Sequence, residues 1–238
     1  MQYNKFIITL LFMVLTITMF SFYSVVSATY SVPVWANYST PTSSNTDSIN
    51  SDTDNSNSLN LESGSAILIE QTTGQILYSH NIHEQLRPAS VTKVMSMLLI
   101  MESLDSGKIS LTDNVPCSEN AASMGGSQIW LDPRETLTVD EMLKAICVNS
   151  ANDCVVAMGE YIAGSEEAFV QMMNDKAKEL GMNDTDFKNC HGLDEDGHVT
   201  SAYDISLMSK ELLNNHPSIT KYTTIWMDTL RDRQISII

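Results

Sequence analysis

Between Asn37 and Asn60, 20 of 24 residues are Ser, Thr, Asn or Asp. A stretch with so little to bury cannot offset the entropy of ordering its backbone. It therefore divides the chain: the folded part must be built from the residues that follow, and whatever precedes is reached through a flexible tether. The N-terminal side opens on a short polar stretch carrying Lys5, then FIITLLFMVLTITMF, broken only by threonines, then SFYSVVSA. Val26 and Ala28 occupy the −3 and −1 positions of a small-residue cleavage site, so residues 1–28 read as a signal peptide and 29–62 as the tether. A second cleavage site ends at Ala36, and an uncleaved anchor is the rival reading, because Phe6 to Val26 nearly spans a bilayer. Either way export is expected, with membrane contact only through this N-terminal segment.

The 238 residues carry 13 basic and 29 acidic side chains, a net charge of −16. One Lys and three Asp fall in the first 60 residues, so the acidity belongs to the part that folds. That balance excludes a nucleic-acid partner, which needs clustered Lys and Arg, and peripheral docking on an anionic bilayer. With 43% apolar and 18% charged residues the chain can bury a core. Four cysteines are too few for a disulfide scaffold, and no C-x-x-C pair points to zinc or thiol redox chemistry. No metal is expected, while a disulfide in an exported protein stays open.

Beyond residue 62 the pattern is a hairpin followed mostly by helix. SAILIE (65–70) and QILYSHN (75–81) are β-prone runs separated by TTG. SVTKVMSMLLIMESL is an apolar helix ended by Gly107. Thr138 and Glu141 form a capping box ahead of DEMLKAICV. The break SAND separates that helix from CVVAMGEYIAG. SEEAFVQMMNDKAKELG has acids in its first turn and lysines before its glycine stop, as the helix dipole favours. Ser201 and Asp204 cap AYDISLMSKELLNN, and the tail from Lys221 has no clear pattern. The sum is an α+β chain with too few strands for a full sheet.

Ser90-Val91-Thr92-Lys93 is an S-x-x-K motif, whose spacing sets both side chains on one helical face a turn apart. Serine needs an adjacent base to act as a nucleophile. A lysine serves once burial lowers its pKa from about 10.4 toward 7, a change of about 4 to 5 kcal/mol. A helix N-terminus adds partial positive charge where an oxyanion would form. Ser218-Ile219-Thr220-Lys221 spells the same letters but has no apolar helix behind it. Position favours Ser90, whose helix would sink Lys93 into a core. Ser150-Ala151-Asn152 lies in the polar break between two apolar helices, sixty residues later. Its hydroxyl is suited to relaying a proton and its carboxamide to holding a substrate amide; the plainer reading is helix capping.

RPASVTK, the stretch GGSQIWLDPRETLTVDEMLKAICVNSAND and GHVTSAYD together resemble the low-molecular-mass penicillin-binding proteins, the serine D-alanyl-D-alanine carboxypeptidases, over roughly residues 63 to 230. The resemblance implies the penicillin-recognising, β-lactamase-like transpeptidase fold, α+β, with its antiparallel sheet only partly encoded here. It implies Ser90 as acyl-ester nucleophile, Lys93 as its proton acceptor, Ser150 as relay to the leaving amine, and Asn152 as the residue positioning the substrate amide. The implied partner is a peptidoglycan stem peptide ending in D-Ala-D-Ala, with β-lactams as covalent inhibitors and no cofactor. The implied location is the outer face of a bacterial cell membrane or its wall. The family's third motif, K-T-G, is missing: no Lys or Arg here is followed by [ST]-G. The late strands are missing with it, so residues 63–238 are expected to be an incomplete D,D-peptidase domain, inactive or nearly so.

Other residues tempt. Glu179 and Asn183 mimic the spacing that supplies the deacylating water in class A β-lactamases, but Gly181 marks a helix end and a surface Glu. Cys190-His191 has no second pair at ligand spacing and reads as a structural loop, and His198 as structural support. Cys147 and Cys154 read as small buried hydrophobes beside the SAND break. Two alternatives to a carboxypeptidase remain: a class A-like β-lactamase, and a non-catalytic exported wall module in which Ser90 and Ser150 are only caps.

Overall fold

The computed structural model describes Leu59, residues 61–231 and the backbone of 233–236. The segments expected to be a signal peptide (1–28) and, for nearly all of its length, a tether (29–62) lie outside the described residues.

The helix after the S-x-x-K motif, α1 (Lys93–Asp105), is the axis of the domain. Met95, Leu98, Leu99, Ile100 and Met101 are all buried, so its apolar surface runs around the whole cylinder, as a central helix requires. It ends where Gly107 takes φ +70° and the Lys108 and Ile109 N–H groups return to the Ser103 carbonyl. Before it, the chain forms an antiparallel hairpin, β1 (Ala66–Ile69) and β2 (Ile76–His80). Glu70 organises the turn, accepting from the Thr72 and Thr73 N–H groups and the Thr73 hydroxyl, which hold its carboxyl down at about 2. Leu68 and Leu77 remain exposed on the hairpin.

A second strand pair, β3 (Asn114–Pro116) with β4 (Thr136–Thr138), brackets the short α2 (Glu119–Ala122) and a long loop. Thr138 then caps α3 (Val139–Asn149) in a full capping box with Glu141, as the sequence predicts. Ser150 at φ +53° and Ala151 in extended geometry turn the chain, and α4 (Asn152–Ala163) begins at once. Ser165 caps α5 (Glu166–Glu179), and Ser201 caps α6 (Ala202–Asn215). Helices α4, α5 and α6 all pack on α1. The tail adds α7 (Thr220–Thr223) and a hairpin, β5 (Met227–Leu230) with β6 (Arg233–Ser236).

The architecture is α+β, with two-stranded antiparallel sheets among the described residues. All four cysteines are free thiols; beside the break, Cys154 is buried, as expected of a small hydrophobe, whereas Cys147 is half-buried. No helix among the described residues is long and apolar enough to cross a membrane.

Candidate active site

The chain reaches α1 through a 3₁₀ turn, Ala89–Thr92, entered from Pro88. Within it Ser90 is exposed, whereas Lys93, one turn on, is only 3% exposed. The ammonium nitrogen of Lys93 lies 3.3 Å from Ser90 Oγ and donates to the His191 carbonyl at 2.7 Å. Burial pushes its pKa from 10.5 down to about 8. A neutral amine is thus accessible at mild pH beside an exposed hydroxyl, the arrangement a nucleophilic serine needs.

A loop from Asn189 to Leu193 forms a strap across this turn. Cys190 and His191 present successive carbonyls to α1, accepting from Ser96 Oγ at 2.7 Å and Lys93 Nζ at 2.7 Å. Gly192 runs so close to the 3₁₀ turn that a Cβ there would stand 1.9 Å from the Ala89 carbonyl oxygen. Only glycine fits that approach at φ +93°, and Ala89 itself is held at φ +46° beneath it. Asn189 closes the strap, accepting from Gly192 N and donating to Leu193 O. Arg87 pairs with Asp194 at 3.1 Å, joining the strap's exit to the entry of the 3₁₀ turn. His198 supports the turn from below. Its Nδ1 accepts from Lys188 N, so the neutral ring carries its proton on Nε2, 2.8 Å from Thr92 Oγ1. Burial lowers its pKa and keeps that ring neutral.

The second motif approaches from the other side. Gly126 sits between Asn152 and Leu193: a Cβ on it would meet Asn152 Nδ2 at 2.9 Å and Leu193 Cδ2 at 3.3 Å. Gly126 is therefore the shared neighbour of Asn152 and the strap. Neither Ser150 nor Asn152 caps a helix through its side chain; Ala151 is the N-cap of α4 and Ser150 the left-handed C-cap of α3. Asn152 Nδ2 donates to the Gly125 carbonyl at 2.7 Å, which leaves Oδ1 buried without a partner. The Ser150 hydroxyl is half-buried and hydrogen-bonds neither Ser90 nor Lys93. The loop facing the break is pinned by two side chains and one backbone N–H around it. Asn149 donates to Gln128 O, Asn152 N to Ser127 O, and buried Asp153 accepts from the Ile129, Leu131 and Cys154 N–H groups.

The remaining candidates separate from this site. Lys221, of the second S-x-x-K, is exposed and pairs with Asp140. Glu179 is exposed and pairs with Lys176. Cys190 and His191 are part of the strap, and among the described residues no group of three or more metal-ligating side chains assembles. Sequence reasoning missed the strap's hold on Lys93; the glycine following Cys190-His191 was its one local signal.

A family model described as D-alanyl-D-alanine carboxypeptidase matches residues 51–237. The chain belongs to this family. It is 59% identical over 171 residues to the D-alanyl-D-alanine carboxypeptidase DacF of Bacillus subtilis, covering 72% of this chain and 44% of that protein. It is 36% identical over 163 residues to DacD of Escherichia coli, covering 66% and 42%. Among solved structures, the carboxypeptidase DacD of Francisella tularensis superposes with a TM-score of 0.71 at 31% identity, over 75% of this chain and 43% of that one. Penicillin-binding protein D2 of Listeria monocytogenes, in its ampicillin-bound form, gives 0.67 at 26% identity over 76% and 74%. The chain thus spans under half the length of the curated relatives it matches. The fold is that of the carboxypeptidases and penicillin-binding proteins, as the sequence motifs imply.

Proposed function

We propose that the protein is a serine D-Ala-D-Ala carboxypeptidase of the cell wall. The observation that carries this is the buried, pKa-lowered Lys93 within 3.3 Å of the exposed Ser90 hydroxyl. Ser90 Oγ attacks the carbonyl of the penultimate D-Ala, and its proton passes to neutral Lys93. The peptide C–N bond breaks, and the leaving D-Ala amine takes a proton from Lys93, with Ser150 as relay. Water then hydrolyses the ester and restores Ser90. The partnerless Oδ1 of Asn152 is an acceptor suited to a substrate amide N–H. The substrate class places the domain outside the cell membrane, at the wall, delivered by residues 1–28 and held by the 29–62 tether.

A β-lactam mimics the substrate and should acylate the same oxygen, as the ampicillin-bound relative suggests. Fluorescent penicillin followed by peptide mass mapping tests the reading. The expected result is one covalent adduct on the peptide containing Ser90, lost in Ser90→Ala. An adduct that persists in Ser90→Ala, or maps to another residue, overturns the assignment. Rapid release of hydrolysed nitrocefin would favour a β-lactamase instead, and no adduct on prolonged exposure a non-catalytic module.

A further inference from the structure

The strap that holds Lys93 is itself held from behind, by a group outside the two motifs. Glu166, in the first turn of α5, has a side chain only 17% exposed. Its Oε1 accepts from the Cys190 thiol at 3.5 Å and faces His191 Nε2 at 3.4 Å; its Oε2 accepts from Asn120 Nδ2 at 3.4 Å. The His191 ring accepts from Leu193 N at Nδ1, so the neutral imidazole carries its one hydrogen on Nε2, toward the carboxylate. Cys190 therefore donates to Glu166 through its thiol and His191 presents Nε2 to it at 3.4 Å, while both bind α1 through their carbonyls, to Ser96 and Lys93. Nothing in catalysis by Ser90 and Lys93 requires an acid at this position, and helix polarity alone would be satisfied by an exposed one.

We propose that Glu166 is a positioning residue for the acyl-transfer site: acting through Cys190 and His191, it fixes the strap whose His191 carbonyl orients Lys93 toward Ser90. The inference rests on the reading of Lys93 as the base. Without the anchor the strap loosens, water reaches the amine, and the desolvation that makes Lys93 a usable base is relieved. What the strap needs is an acceptor at Oε1, not a charge.

The charged and titratable groups around the strap are Lys93 from α1, Glu166 from α5, Cys190 and His191 within it, the Arg87–Asp194 pair at its exit, and His198 and Glu195 beyond it. Lysine-selective ¹³C NMR of the full 238-residue chain, with Lys93 assigned by Lys93→Met, reads the effect directly. In Glu166→Ala the Lys93 midpoint should rise by roughly one pH unit or more. In Glu166→Gln, which keeps the acceptor, it should stay within about 0.3 unit of the wild type. Penicillin acylation at neutral pH should fall at least about tenfold in the first variant and less than about threefold in the second. If Glu166→Ala is folded and leaves the Lys93 midpoint unmoved, the proposal is wrong. It is equally wrong if Glu166→Gln raises the midpoint by about one unit or more, an outcome that decides even where alanine unfolds the domain. The NMR midpoint does not depend on turnover, so a chain that fails to acylate would count against the carboxypeptidase reading without deciding the role of Glu166.

Discussion

Gly192 shows how one residue type decides whether the site exists. Any side chain there collides with the Ala89 carbonyl, at a backbone angle that already strains an L-residue. Gly192→Ala is expected to cost at least about 2 kcal/mol in urea unfolding, and to cut Ser90 acylation further, because relief of the clash moves the strap off Lys93. Ser90 and Lys93 were legible as candidates because helical geometry turns a spacing of three into proximity, and Ser150 and Asn152 because they form a polar break between two apolar helices. The strap was not. Its contacts to Lys93, Ser96 and Glu166 span separations of 98, 94 and 24 residues and leave no periodicity to read. Glu166 looked complete as a helix-dipole residue, and that local explanation concealed its second set of partners.

At the scale of elements, caps and glycine stops gave the helices their ends. The capping box at Thr138, the Ser201 cap and the Gly107 stop all lie where the letters put them. Thr138→Ala removes the acceptor for Glu141 N and the donor to its carboxylate, and should destabilise the domain by about 1 kcal/mol in chemical denaturation. Acylation should be nearly unchanged, since α3 is fixed at its other end by the break. The three-residue strands β3 and β4 and the β5–β6 hairpin escaped notice. The first pair is too short to alternate visibly. The second is organised from outside its strands, with Arg231 bound to Glu135 at 2.6 Å and to the Ile129 carbonyl at 2.6 Å.

Across the whole molecule, a buried lysine means stability given up for function. The folded pKa of Lys93 is about 8 against an ordinary 10.5, so between those values the unfolded chain binds the extra proton and the native chain does not. Stability contributed at this site therefore rises with pH through that window, and the full penalty, about 3 kcal/mol, stands below pH 8. Lys93→Met should be the more stable protein at pH 7 by about 1 to 2 kcal/mol, the lost bond to His191 offsetting part of the gain. The difference should shrink as pH rises from 8 toward 10.5, which paired urea titrations would reveal. Comparison with the methionine variant isolates Lys93 from the buried cysteines, whose raised pKa values act in the opposite direction.

In the proposed reading the same amine sets the chemistry, and the rate of Ser90 acylation by labelled penicillin as a function of pH tests that role most directly. If neutral Lys93 removes the Ser90 proton, the rate should climb about tenfold per unit below pH 7 and level off near pH 8, and Lys93→Met should abolish the climb. A rate that is flat from pH 6 to 9, or a slope that survives in Lys93→Met, would contradict the account.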